Sequence, residues 1–261
     1  MFFLLGKGHQ NWRKEVYSEY KHKTPEDREQ WHSTPEGEEF SYNELYAKSK
    51  FALRKHLPHI GVKVISARGH EADDLSYYIG KKLVERGKEC VAVSGDGDWL
   101  QLVNDPGVPV YRPMKEDIVD QDNFVEKTGL PPEAIVLHLS VLGGHDNIPK
   151  VGYRFGEKSS MKMIQELPEY TTEAVKAWAE EQSAKTYNQL AEEEKIQQLK
   201  TNIKLVDFAS IPFSEETSRV LDEKMDQKIE FNRDMAELFI KKYQLQKFAS
   251  ILGRKSYRAL K

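Results

Sequence analysis

Short, continuously apolar runs alternate with a helical apolar stripe across the first hundred residues, and that alternation leaves few folds open. Phe2-Phe3-Leu4-Leu5 reads as a short buried strand, and Val62 to Ile65 as a second. Between them, Ser41 to Leu57 carries Leu45, Phe51, Leu53 and Leu57 at helical spacing. From Glu71 the apolar positions Leu75, Ile79 and Leu83 recur every four residues, which predicts a helix to about Arg86, ended by Gly87. Cys90 to Ser94 is a further strand, followed by the tight Gly95-Asp96-Gly97-Asp98 loop and a short helix from near Trp99. Apolar strands in such an order imply an α/β fold, a parallel sheet covered by helices on both faces.

Pro106, Gly107, Pro109 and Pro113 interrupt regular structure between Asp105 and Pro113. Beyond them only Ile203 to Phe208 alternates like a strand, while Glu173 to Leu199 reads as long helical segments. The expected organisation is a sheet domain over residues 1–120 and a helical domain over 121–261. With 261 residues and 39% hydrophobic content, a real core is within reach. The apolar opening is far shorter than the roughly 18 residues of a membrane span and lacks signal-peptide flanks, so no membrane association and a cytoplasmic location are expected, the host cytoplasm if a phage encodes the chain. Cys90 is the sole cysteine, which excludes an internal disulfide and a cysteine-based zinc cluster.

The net charge of −3 argues against a generic DNA-coating protein, but the charge is segregated. Residues 241–261 carry Lys241, Lys242, Lys247, Arg254, Lys255, Arg258 and Lys261 without an acid, a basic end able to meet phosphates.

The acids gather more tellingly. Glu71, Asp73 and Asp74 crowd the first turn of a helix that follows a strand, and Asp96 and Asp98 lie in the loop leaving the next strand. Ligands of doubly wound sheets bind beyond the carboxyl ends of the strands, so both groups should share one crevice. At about 5 Å and an effective dielectric near 20, each like-charge pair costs roughly 3 kcal/mol, more than a helix dipole offsets. Such a cluster calls for cations, and oxygen-only ligation suits Mg²⁺ or Mn²⁺. Two such ions could activate water and stabilise the leaving oxygen of a phosphodiester. Taken singly, each group also fits helix-start or turn acids; their coincidence at consecutive strand exits favours the metal reading.

A third element runs from Asp146-Asn147-Ile148-Pro149 to Gly156-Glu157-Lys158. Gly152 and Gly156, beside Lys150, Arg154 and Lys158, would let backbone N–H groups and cations approach a phosphate at the start of the next helix.

His70-Glu71-Ala72-Asp73-Asp74, Ser94-Gly95-Asp96-Gly97-Asp98-Trp99-Leu100-Gln101-Leu102 and Asp146-Asn147-Ile148-Pro149 with Gly156-Glu157-Lys158 resemble, in order and spacing, the successive signatures of the flap endonuclease and 5′→3′ exonuclease family. Asn11 to Lys14, Tyr20-Lys21 and Leu205 to Phe208 bring the likeness nearest to its ribonuclease H type members in T-even-type bacteriophages. The resemblance implies a PIN-like nuclease domain with two divalent ions, Mg²⁺ or Mn²⁺, a helical arch, and a helical domain with a helix-three-turn-helix element. It implies Glu71, Asp73, Asp74, Asp96, Asp98 and Asp146 as metal acids, Lys21 and Arg13 as basic catalytic residues, and Lys150, Gly152, Arg154, Gly156 and Lys158 as DNA contacts. The implied substrate is DNA or an RNA–DNA hybrid with a 5′ flap or end, and the implied partners are a polymerase or a single-strand-binding protein.

Three departures stand out. The family's first strand with its metal-binding Asp is not recognisable, so an N-terminal piece, or a separate N-terminal fragment, is expected to precede residue 1. An acid expected near Gly6-Lys7-Gly8 is missing. The Gly-Asp pair expected before Asp146 reads Leu142-Gly143-Gly144. The sequence therefore predicts a structure-specific 5′ nuclease that removes RNA primers or flaps, with a DNA-binding accessory or inactive fragment as the alternative. A small-molecule phosphohydrolase is disfavoured by the basic tail and glycine clamp. Trp99, Tyr17 and Tyr20 are expected to pack rather than stack bases, and the histidines receive no role.

Overall fold

The computed structural model describes residues 1–6, 11–22 and 42–245, the last stretch without side-chain detail for residues 42–46. Residues 23–41, which hold most of the expected arch, Lys7 and Gly8, and the basic residues from Lys247 onward lie outside the described residues. The chain divides into two compact units, one of residues 1–6, 23–67 and 213–261, the other of residues 7–22 and 68–212.

In the first unit β1 (Phe2–Leu4) pairs in parallel with β2 (Lys63–Ile65), in register Phe3 to Val64. The helix Tyr42–His56 enters β2 through a 3-10 turn, Leu57–Ile60, which Gly61 closes at φ 79°, a left-handed position that suits glycine. Two helices pack here, Glu215–Asp226 through buried Leu221 and Met225, and Arg233–Lys242 through Ala236 and Phe239. Ile60, Val62 and Ala236 form one buried cluster with Phe3, Leu57 and Phe231 against it.

The second unit holds β3 (Ala92–Val93), β4 (Val110–Arg112) and β5 (Asp117–Val119). β3 and β4 are parallel, β4 and β5 antiparallel. The helix Ala72–Glu85 precedes β3, and Ile135–Leu142, Glu157–Glu166, Thr172–Glu180 and Glu193–Val206 are the longer helices that follow. Ile135–Leu142 is apolar nearly all round because it is sandwiched between Glu157–Glu166 and Glu193–Val206.

The α/β character and the helical second half agree with the sequence; three details differ. Among the described residues the strands form two small sheets, with an antiparallel edge strand, rather than one parallel sheet. The Pro-rich stretch 105–113 carries β4: Pro109 precedes the strand, so only its carbonyl is needed, and that accepts the Ala92 N–H at 2.9 Å. Arg112 closes the β4–β5 hairpin with a two-pronged bond to Asp117, at 2.8 and 2.5 Å. Finally, Ile203 to Val206 ends a helix, since Leu199, Asn202, Leu205 and Val206 are buried at helical spacing, and what resembled strand alternation is the edge of that stripe.

Candidate active site

Every described acid of the expected cluster belongs to the second unit. Glu71 stands extended before the helix Ala72–Glu85, and its N–H donates to Asp74 Oδ2 at 2.8 Å, so the first turn is closed by its own carboxylate. Asp74 is fully buried, with Arg13 Nη1 2.8 Å from Oδ1 and His70 Nδ1 3.6 Å from Oδ2. Burial alone would push the Asp74 carboxyl up; His70, the Arg13 guanidinium and the Glu71 N–H outweigh burial and hold it below the usual carboxylate range. Arg13 is itself buried, donates through Nε to the Leu205 carbonyl at 2.8 Å, and lies 4.6 Å over the Trp12 ring. The structure thus joins Arg13 and Asp74 as a buried pair beneath the cluster.

Above that pair, Lys21 Nζ lies 2.9 Å from Glu71 Oε1 and 3.2 Å from Asp146 Oδ2. Buried Tyr20 donates its hydroxyl toward the same two carboxylates, 3.0 Å from Glu71 Oε2 and 3.3 Å from Asp146 Oδ2. Burial pulls the Lys21 ammonium down, but its bonds to Glu71 and Asp146 more than offset this, so it stays charged well into alkaline pH. Burial and Glu71 together drive the Tyr20 hydroxyl far above its ordinary value, so it remains a donor.

Asp73 faces the neighbouring loop, where Trp99 Nε1 donates to its Oδ1 at 2.7 Å. Burial pushes the Asp73 carboxyl up to about 6; Asp96 and Glu71 add to the rise, and Trp99 and Lys21 moderate it. Asp98 is raised by burial first and then by Asp96 and Asp146, with His145 and Lys21 opposing. Asp96 is exposed, and its Oδ1 accepts the Asp98 N–H at 3.1 Å, shaping the turn.

Lys21 touches two of these acids, Glu71 and Asp146, and its charge reaches Asp73 and Asp98, but no three of the described His, Cys, Asp or Glu residues are already set as a cage for an ion. The chemistry of the donors fits a hard divalent cation: they are carboxylate oxygens, and burial first, then neighbouring carboxylates, raises Asp73 and Asp98. Asp74, tied to Arg13, has the least freedom to take part.

Gly143 explains the missing acid before Asp146. Its φ of 49° lies in the left-handed region, and a Cβ there would stand 2.5 Å from the Pro149 carbonyl oxygen, so this backbone admits no side chain. Further on, Lys150, Arg154 and Lys158 are exposed, and Arg154 lies 5.3 Å over the exposed Tyr153 ring. Gly152 packs tightly, a Cβ there meeting Phe155 Cβ at 2.7 Å, whereas Gly156 is open and precedes the helix Glu157–Glu166 without a side-chain cap.

Tyr20, Trp99 and His145 show no polar role in the sequence pattern, yet all three act on the acids. Trp99 adjoins Asp98 and Tyr20 adjoins Lys21, which was the available signal; His145 adjoins Asp146.

Residues 1–129 match the family described as 5′-3′ exonuclease, N-terminal resolvase-like domain. Over those residues the chain is similar to the 5′-3′ exonuclease family. A 5′-3′ exonuclease of Buchnera aphidicola subsp. Schizaphis graminum is 32% identical over 126 residues, 48% of this chain and 43% of that protein. The chain thus spans less than half the length of this curated exonuclease. Among solved structures, bacteriophage T5 5′-exonuclease with bound divalent zinc shares the fold at a TM-score of 0.63 and 22% identity, over 92% of this chain and 82% of the other. A complex of the T5 flap endonuclease with DNA and metal ions gives a TM-score of 0.62 at 21% identity, over the same shares, 92% and 82%.

Proposed function

We propose that this chain is a structure-specific 5′ nuclease of the exonuclease family, hydrolysing phosphodiester bonds in DNA or RNA–DNA hybrids that carry a 5′ flap or end. The observation that carries the reading is the Lys21 ammonium held within 2.9–3.2 Å of Glu71 and Asp146, beside two acids, Asp73 and Asp98, that burial and like charges raise above the ordinary carboxylate range. Glu71, Asp73, Asp96, Asp98 and Asp146, with Asp74 behind them, are the residues that would hold Mg²⁺ or Mn²⁺. Two such ions would supply a water nucleophile at neutral pH and stabilisation for the leaving oxygen. Lys21, permanently charged, offsets negative charge on the phosphate as it builds up. Tyr20 orients Glu71 and Asp146, and Trp99 fixes the Asp73 carboxylate. Arg13 supports this arrangement from below through Asp74.

Lys150, Arg154 and Lys158, with the backbone at Gly152 and Gly156, offer cations and N–H groups to a duplex backbone at a helix start, in keeping with a helix-three-turn-helix grip. We also infer a role in replication, where primers and flaps arise, with a polymerase or single-strand-binding protein as partner. The test is cleavage of a 5′-labelled flap by the purified chain with Mg²⁺ or Mn²⁺, beside Asp96→Ala. Metal-dependent cleavage lost in Asp96→Ala supports the reading. A second reading, a DNA-binding accessory without turnover, is favoured by Gly143, where no acid fits; salt-sensitive flap binding without cleavage would select it.

A further inference from the structure

We propose that Asn147 is a positioning residue for Lys21: its side-chain amide holds the turn that presents the ammonium to the acid cluster. The inference rests on the nuclease reading for its kinetic consequence, but its structural part stands apart from turnover.

Asn147 Nδ2 donates to the Glu19 carbonyl at 3.1 Å and to the His22 carbonyl at 2.6 Å. These two carbonyls bracket Tyr20 and Lys21, the residues that meet Glu71 and Asp146. The turn is also closed by the His22 N–H on the Glu19 carbonyl at 3.0 Å, and the Lys21 N–H donates to the Asp146 carbonyl at 2.9 Å. One asparagine amide and one backbone bond therefore tie the segment carrying the cation to the segment carrying Asp146.

Backbone conformation shows why this tie is needed. Lys21 has φ 50°, a left-handed position that residues other than glycine, asparagine and aspartate adopt at a cost, so outside contacts must hold the turn. Asp146 and Asn147 follow at φ 51° and 63°, and there asparagine and aspartate are the non-glycine residues that tolerate the left-handed region best. An aspartate at 147 would have the same tolerance but no N–H to give, which makes the donor the discriminating feature. Asn147 is exposed and fills no core space. Tyr20 and Ile148 share a buried cluster with Leu205 and Val206, so loss of the amide loosens the turn without undocking it.

The consequence is mechanical. Lys21 is registered to the Asp146 segment, which continues into the Lys150 to Lys158 stretch assigned above to the duplex backbone. Where the duplex is gripped then sets where the ammonium stands.

The test uses the full chain with Asn147→Gly, which keeps the left-handed backbone and removes only the amide. Asn147→Asp, which keeps the shape and removes the donors, serves as the second variant should the glycine variant fold poorly. Amide hydrogen exchange of Lys21, followed by NMR without divalent ions, should quicken at least tenfold in either variant while the melting temperature moves little. Unchanged exchange at Lys21 overturns the proposal, whether or not the chain cleaves anything. In single-turnover cleavage of a 5′-labelled flap with Mg²⁺, Asn147→Gly should slow the step tenfold or more, with flap affinity in EDTA unchanged. The same substitution in a Lys21→Ala background should slow cleavage less than twofold further. An equal slowing in both backgrounds overturns the proposal, since Asn147 would then act without Lys21. Should the parent chain show no cleavage, the nuclease reading fails, and the exchange result alone decides the positioning role.

Discussion

Asp73→Asn should stabilise the metal-free protein while weakening its response to metal. In the folded state burial, Asp96 and Glu71 push the Asp73 carboxyl up to about 6 from an ordinary 3.8. A carboxyl raised in this way binds more protons folded than unfolded between pH 4 and 6, so stability falls as pH rises through that window and stays lowered above it. Two pKa units at about 1.4 kcal/mol each set an upper bound near 3 kcal/mol, and partial solvent screening brings the expectation to on the order of 2 kcal/mol. Asparagine is isosteric and its oxygen still accepts the Trp99 N–H, so the charge is what the substitution removes. The assay is urea unfolding from pH 4 to pH 8, in EDTA and in excess Mn²⁺. Without metal the variant should be the more stable by about 2 kcal/mol at pH 7, with the difference vanishing towards pH 4. With metal the order should reverse, because an ion at 100 times its dissociation constant stabilises the parent by about 2.7 kcal/mol and the variant by much less. A metal-free variant less stable than the parent at pH 7 would refute the view that these acids repel one another.

Three further outcomes follow from the structure. Arg13→Ala leaves Asp74 buried without its 2.8 Å partner and should cost about 3–5 kcal/mol by urea unfolding, a loss smaller in an Asp74→Asn background; equal losses in both would dissolve the pair. Gly143→Ala forces a side chain to φ 49° and against the Pro149 carbonyl, costing about 1–3 kcal/mol and several degrees of melting temperature, so Gly143→Asp should unsettle the protein rather than supply an acid. His56 is buried and stacked on Phe239 at 4.9 Å, and burial first, then Lys55, Lys242 and His59, lowers its pKa below the ordinary 6.5. A depressed histidine leaves stability intact above pH 6.5 and erodes it as pH falls below that value, so His56→Phe should flatten the loss between pH 7 and 5 seen by thermal denaturation.

What was legible in the sequence was whatever depends on local spacing. The helix Ala72–Glu85 follows from its four-residue stripe, and its acids declare themselves by crowding the first turn. β4 was hidden because prolines beside a strand look like interruptions when one cannot see that Pro109 needs to offer only its carbonyl. The orientation of β5 was hidden because pairing depends on partners distant in sequence, here resolved by Arg112 and Asp117. Stretch 203–208 shows the opposite error: a few residues satisfy both periods, and only the helix-long run from Ile196 through Leu199 and Asn202 decides.

The acids divide by a criterion that spacing cannot express, namely which of them already has a cation. Asp74 and Asp73 are adjacent in sequence, yet the first is fully buried against Arg13 and held below the usual carboxylate range, while burial and like charges raise the second to about 6, its indole donor offsetting only part of the rise. Neighbours in a first turn point about 100° apart, so one meets the interior and the other the crevice. The same division separates the bases: Arg13 is spent on Asp74, and Lys21, 40% exposed at its side chain, keeps a face open to solvent while touching Glu71 and Asp146. A cluster built this way is anchored by a satisfied pair below and left short of positive charge above. That shortage is why the protein without metal should gain stability when the charge of Asp73 is deleted.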